Sequence, residues 1–242
     1  MTGADTDCLI GNEERMKKKA AIYHFTDGSE KRPIICEKQL KALEDYAISK
    51  GFDVTGVFVD KSLRRCDRQE FNRLLDCCDQ FNALVTKDFY HLSKNTMQSM
   101  ALMREFRDKG VLLYTLENGC FVFEEEPFDE PLRVVTYNCR FGESNELKQI
   151  IVVQNDIMKL FAEKKTNWSV VDQFFDESQH QNDGEQINLQ NLIQNKELYD
   201  LLLVHNLNDV HWRTANFCKI REALQMDIYS LQDGYLKYRK EI

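Results

Sequence analysis

Short apolar runs alternate along the first half of the chain with stretches whose apolar positions recur at helical spacing. AAIYHF (20–25) and DVTGVFVD (53–60) predict strands, and between them Cys36, Leu40, Leu43 and Ala47 fall on one helical face. EFNRLLDCC (70–78) predicts a second helix and FNALVTKD (81–88) a short buried strand. KNTMQSMALMREFRDKG (94–110) predicts a helix stopped at Gly110, and VLLYTL (111–116) a further strand. The order β-α-β-α-β-α-β implies an α/β fold, a mostly parallel sheet flanked by helices.

The second half repeats this pattern. VTYNCRF (135–141) matches AIYHFTD (21–27) with Tyr137 opposite Tyr23, and the helix IIVVQNDIMKLFAEK (150–164) places Gln154 opposite Gln39. SVVDQFFD (169–176) follows DVTGVFVD, ELYDLLLVHNL (197–207) follows QFNALVTKDFY, and DIYSLQDG (227–234) follows LLYTLENG (112–119), with the offset held between 114 and 118 residues. A repeat this long implies tandem domains, not a solenoid. The expected division is a tail (1–19), a first domain (20–119), an acidic linker (120–134) and a second domain (135–242). The linker holds two of the three prolines, and its apolar residues Phe121, Val122, Phe123 and Phe128 leave open whether it runs free or packs onto a domain.

With 43% apolar residues among 242 the chain can build cores of this size. No stretch is apolar enough for a membrane span, and the start lacks the order of a signal peptide, so a cytoplasmic protein without membrane contact is expected. Eight cysteines include no C-x-x-C pair, which implies reduced thiols and neither metal nor cofactor. Lys+Arg against Asp+Glu runs 15 to 15 over residues 21–119 but 1 to 5 over 120–134 and 12 to 16 over 135–242. A neutral half followed by an acidic one argues against tight autonomous DNA binding.

The stretches AIYHFTDG, EKQLKALEDYA, VFVDKSLRRCDRQEFNRLL, TKDFYHLSKNT and EFRDKGVLLYTLENG, in that order, resemble the catalytic domain of the serine recombinases, the resolvases and invertases. The resemblance covers about 100 residues, and the second copy shares it only through the first. It implies two tandem resolvase-like domains. The chemistry it implies is attack of a serine hydroxyl on a DNA phosphodiester, with arginines neutralising the phosphate.

The residues this chemistry requires are mostly missing. Counting from Tyr23, the family's arginine and serine places hold Phe25 and Asp27, and in the following turn Tyr90, His91 and Lys94 stand for the aspartate and two arginines. Arg68 alone matches a family arginine. In the second copy Cys139 and Phe141 take the strand places, Gln186 falls near the place of Arg68, and Asn208, Asp209 and Trp212 occupy the turn. Ser29 is the alternative nucleophile if the chain is active. Ser144 is its counterpart, and neither has an arginine two residues before it. His24 and His91 show no spaced partner for a triad.

These absences imply a pseudoenzyme that binds protein: a serine recombinase to which it is accessory, or itself, as an internal pseudo-dimer or homo-oligomer. The competing readings are a divergent recombinase using Ser29 with Arg68, and a weak DNA-binding protein using Lys17, Lys18, Lys19, Arg64, Arg65 and Arg68.

Overall fold

A computed structural model of the chain describes residues 18–26, 33–61, 68–121, 123–124, 129–141, 145–178 and 186–238. Two mixed sheets flanked by helices follow one another. In the first unit β1 (Lys18–Thr26) lies between β2 (Phe52–Lys61) and β3 (Ala83–Thr86). Next to β3 comes β4 (Leu112–Thr115), and an antiparallel hairpin strand, β5 (Gly119–Phe121), closes the order β2-β1-β3-β4-β5. Strands β1 to β4 are parallel.

Helix α1 (Pro33–Ser49) covers one face, setting Leu43 and Ala47 on Ala20, Ile22, Phe52, Ala83 and Val85. The other face takes α2 (Gln69–Asp76) and α3 (Thr96–Asp108), which bring Phe71, Leu74, Met103 and Phe106 onto Tyr23, Leu84 and Leu113. Helix α3 ends at Lys109, and Gly110 takes φ 72°, the left-handed turn a side chain resists.

The second unit has the same order. Its strands are β7 (Leu132–Phe141), β8 (Trp168–Ser178), β9 (Leu201–Val204), β10 (Asp227–Ser230) and β11 (Gly234–Leu236); its helices are α4 (Asn145–Glu163), α5 (Ile187–Gln194) and α6 (Thr214–Leu224). The correspondence extends to irregularities. Pairing of β1 with β2 slips between Ala20 and Ala21, and pairing of β7 with β8 slips between Val134 and Val135, 114 residues on. Where Gly56 leaves room for the Phe81 ring, Asp172 instead accepts a 2.7 Å bond from the Tyr199 hydroxyl. After α6 the left-handed place of Gly110 is held by Gln225 at φ 53°.

The expected linker, residues 120–134, contributes strand at its described positions 120–121, 123–124 and 132–134. Cys120 and Phe121 belong to β5, and Phe123–Glu124 form β6, which adds to the second sheet against β11 to give β6-β11-β10-β9-β7-β8. Phe121 and Phe123 are buried in a cluster that continues through both units. Apolar burial here outweighs the repulsion among the neighbouring acidic residues.

The units meet at the ends where their parallel strands finish. The Thr96 amide donates to the Trp212 carbonyl at 2.8 Å, and the Thr214 amide donates to the Lys94 carbonyl at 3.1 Å. These are matching positions 118 residues apart, so the contact is reciprocal, as in a two-fold interface. Below it the Ser99 and Thr214 hydroxyls are 3.1 Å apart and both buried. Asp233, in the β10–β11 turn, accepts from the Leu207 amide and the Ser230 hydroxyl and pairs with Arg104 of the first unit. Asn118 holds the matching turn, accepting from the Phe89 amide through its side chain and from Arg221 of the second unit through its carbonyl. Replacing Asp233 by Ala leaves a buried amide and hydroxyl and the Arg104 guanidinium without their acceptor, and is expected to lower stability by about 3 kcal/mol in urea unfolding.

Candidate functional site

The family resemblance places any active centre at the C-terminal ends of β1 and β3. Asp60, at the end of β2, is buried and takes three donors there. Its carboxylate accepts from the Glu70 and Phe71 amides, both at 3.0 Å, and from the Tyr23 hydroxyl at 3.1 Å. The first two are unsatisfied donors at the start of α2, so Asp60 fastens that helix to the strand end. Arg68, immediately before α2, lies over the Phe71 ring, 3.9 Å from its centroid.

The Arg68 guanidinium makes four hydrogen bonds inside the protein. Nε and Nη2 donate to the Tyr23 hydroxyl at 3.1 and 3.0 Å, Nη2 also donates to the His91 carbonyl at 3.0 Å, and Nη1 donates to the Leu92 carbonyl. The residue that matches a family arginine therefore ties β1 to the turn after β3. Burial pushes the Tyr23 phenol up to about 12 against the pull of Arg68, so it remains a neutral donor to Asp60.

The second unit rebuilds this brace with different chemistry. Asp176 accepts from the Asn188 and Leu189 amides and from the Tyr137 hydroxyl, each at 3.0 Å. Gln186 stands for Arg68, its Nε2 donating to the Tyr137 hydroxyl at 3.0 Å and the Val210 carbonyl at 2.9 Å. A neutral amide reproduces the bonds to phenol and carbonyl, so the brace does not require positive charge.

Among the other sequence candidates, Phe25 is buried in the core, where it can contact no solvent anion. His91 gains a partner the sequence reading missed: its Nδ1 lies 2.8 Å from Asp88 Oδ1, across one turn of a 3-10 helix. His24 is buried and stacks on the His91 ring with centroids 5.6 Å apart. Burial first, then His91 and Lys87, lowers His24 to about 4. Tyr90 lies under the Lys94 ammonium, 5.8 Å from ring centroid to Nζ, while the Lys94 backbone is engaged between the units. Lys18 and Lys19 begin β1. They lie at the opposite end of that strand from the Arg68 site, at ~3.3 Å of rise per residue. Asp27, Ser29, Ser144, Lys17, Arg64 and Arg65 lie outside the described residues.

In the second unit Cys139 is a buried strand cysteine, its thiol pushed up to about 11 by burial. Beside it Arg140 bonds Asp209 at 2.8 Å and Gln154 at 3.1 Å, and Gln154 accepts from Asn138 at 2.8 Å. Burial raises Asp209 to about 6 despite Arg140. Arg140 escaped the sequence reading because it lies one residue beyond the family's arginine place, where only the fold reveals its partner.

Between the units, beside the Phe89–His91 turn, is a cavity of about 460 Å³. Asp88, Glu117 and Glu222 line it against a single cation, Lys219. Each of these carboxylates also has a basic neighbour, His91 for Asp88, Lys87 for Glu117 and Arg221 for Glu222. Among the described residues no group of His, Cys, Asp or Glu is arranged to hold a metal ion, and no helix is long and apolar enough to cross a membrane.

Residues 29–136 match the family model described as Resolvase, N terminal domain. The match begins after Phe25 and Asp27. Among solved structures the chain is similar to the N-terminal catalytic domain of TP901-1 integrase (15% identity, 61% of this chain and 99% of that one, TM-score 0.37). It is also similar to the C-terminal catalytic domain of ISC1926 TnpA, an IS607-like serine recombinase (20% identity, 60% and 84%, TM-score 0.36). A resolvase family site-specific recombinase from Streptococcus pneumoniae is a third (15% identity, 62% and 93%, TM-score 0.37). No curated protein matches the chain.

Two measurements test the site's energetics. Arg68→Ala is expected to cost about 2–4 kcal/mol in denaturant unfolding, whereas Arg68→Gln, the residue used at 186, is expected to stay within about 1 kcal/mol of the parent. For His24 the folded state refuses a proton that the unfolded chain binds near pH 6.5. Stability should therefore fall as pH drops from 7 to 4, by on the order of 2–3 kcal/mol, and His24→Asn, the residue at Asn138, should remove that part of the slope.

Proposed function

We propose that this chain, whose residues 29–136 match a resolvase-type domain, is a non-catalytic member of the recombinase-related group that acts by binding protein. One observation carries the reading: Arg68, the matched family arginine, spends its guanidinium on Tyr23 and two backbone carbonyls, and Gln186 does the same work in the second unit. An arginine committed to holding a turn cannot also neutralise the oxygens of a reacting phosphate, and a group replaceable by an uncharged amide was not kept for that purpose.

The rest of the site supports the same view. Phe25 and Asp27 stand where arginine and the nucleophile would be needed, and a phenylalanine offers no donor while an aspartate repels phosphate. Of the candidate DNA contacts that are described, Arg68 is engaged internally and Lys18 and Lys19 lie at the other end of the strand, which weighs against a joint DNA surface.

The repeated element order, the repeated bulge and the repeated brace support an origin by tandem duplication. The reciprocal contact between units supports an internal pseudo-dimer. In that arrangement the strand ends of the first unit are already faced by the second. The role that fits is an accessory or regulatory subunit that engages its partner, an active serine recombinase, through outer surfaces.

The decisive assay uses nicked or otherwise trapped DNA substrates on which a serine nucleophile leaves a covalent protein–DNA adduct. No adduct is expected from this chain at any protein concentration. An adduct that disappears in Ser29→Ala would establish the divergent-recombinase reading instead. Mixing the chain with an active serine recombinase is expected to yield a complex or a changed recombination rate, and absence of both removes the accessory role.

A further inference from the structure

Helix α4 carries a second apolar face that is exposed among the described residues. Ile151, Gln154, Met158 and Ala162 are turned inward and buried, as the helix's position on the sheet requires. Ile150, Val153, Ile157 and Leu160 recur at spacings of three, four and three residues on the outer side, and are 44%, 54%, 43% and 57% exposed. This is the spacing by which one helix packs along another. Phe161 borders the stripe and packs on Trp168 and Tyr229, which anchors the stripe in the second unit's core.

The chain contains its own control. Helix α1 holds the same place in the first unit, with Gln39 where α4 has Gln154. Its exposed positions matching Val153, Ile157 and Leu160 are Lys38, Ala42 and Asp45. Two helices in equivalent places have equivalent packing needs, so the aliphatic stripe answers something outside the fold. Contiguous exposed aliphatics also carry a solubility cost, which a surface without a partner has no reason to bear.

We propose that the occupant is a second copy of this chain, seated by antiparallel α4–α4 packing about a two-fold axis that crosses the stripe midway between Val153 and Ile157. That axis sets Ile150 against Leu160 and Val153 against Ile157 of the other copy, so the stripe is complementary to itself, as an isologous contact must be. The four side chains offer on the order of 400 Å² per copy, roughly 800 Å² for the pair. This lies below the ~1,200–2,000 Å² of a stable interface and within the range of reversible dimers. The inference does not depend on the loss of catalysis.

Sedimentation velocity on the full chain tests it. The sedimentation coefficient is expected to climb from the monomer value toward the dimer value between about 10 and 500 µM, the range such a small interface allows. Ile157→Lys is expected to hold the chain at the monomer value with an unchanged circular dichroism spectrum. Ala42→Lys, at the matching place in α1, is expected to leave the rise intact. A chain that stays monomeric throughout overturns the proposal and points to a different protein as occupant. A rise that persists in Ile157→Lys overturns it too, by placing self-association on another surface.

Discussion

A buried carboxylate at the end of the second strand organises each unit. Asp60 accepts two amides at the start of α2 and the hydroxyl of a tyrosine on the central strand, and Asp176 repeats all three bonds. A lone charge in so buried a place would be costly, so its donors must be supplied together. The helix start provides two of them and fixes where the helix begins. The phenol provides the third, and is itself held by Arg68 or Gln186, each of which also reaches a carbonyl in the turn beyond the third strand. Strand, helix and turn are thereby locked at the sheet end where the family's chemistry would take place.

That end of the sheet is also where the two units join. The Thr96 and Thr214 amides exchange bonds with carbonyls of the opposite unit, and Arg104 and Arg221 each reach the hairpin turn of the other. Strand ends in open α/β sheets are the usual place for a ligand. Here they are spent on cohesion, and the cavity beside the Phe89–His91 turn is lined by three carboxylates and a lysine. The polar groups that survive, Arg68 with Tyr23 and Arg140 with Asp209, satisfy one another. This is the electrostatic basis for reading the site as structural.

Much of the fold was legible because burial imposes periodicity. The strand runs at Tyr23 and Tyr137, the helical face of Leu43 and Ala47, and the stop at Gly110 all reflect local preferences that the tertiary structure left unchanged. The hairpin strands β5 and β11 and the added strand β6 were not legible. They are two or three residues long and depend on a neighbouring edge, and the acidic run beside Phe123 pointed toward solvent. The Tyr–Asp bonds were not legible, because they join positions 37 residues apart in the first unit and 39 in the second. Arg68 illustrates the limit most clearly. Its sequence position suggests phosphate, and only its surroundings show four of its donor contacts already made inside the protein.

The engagement of this guanidinium by the fold can be measured directly. Its Nε–H proton can be followed by nitrogen-edited magnetic resonance, with Arg68→Gln used to assign the signal. A slowly exchanging Arg68 resonance is expected, with a shift that does not move when inorganic phosphate or a short DNA duplex is added at low salt, where phosphate contacts are strongest. A rapidly exchanging Arg68 signal, or one that moves saturably with duplex DNA, would show that the side chain is available to phosphate and is not held by the fold.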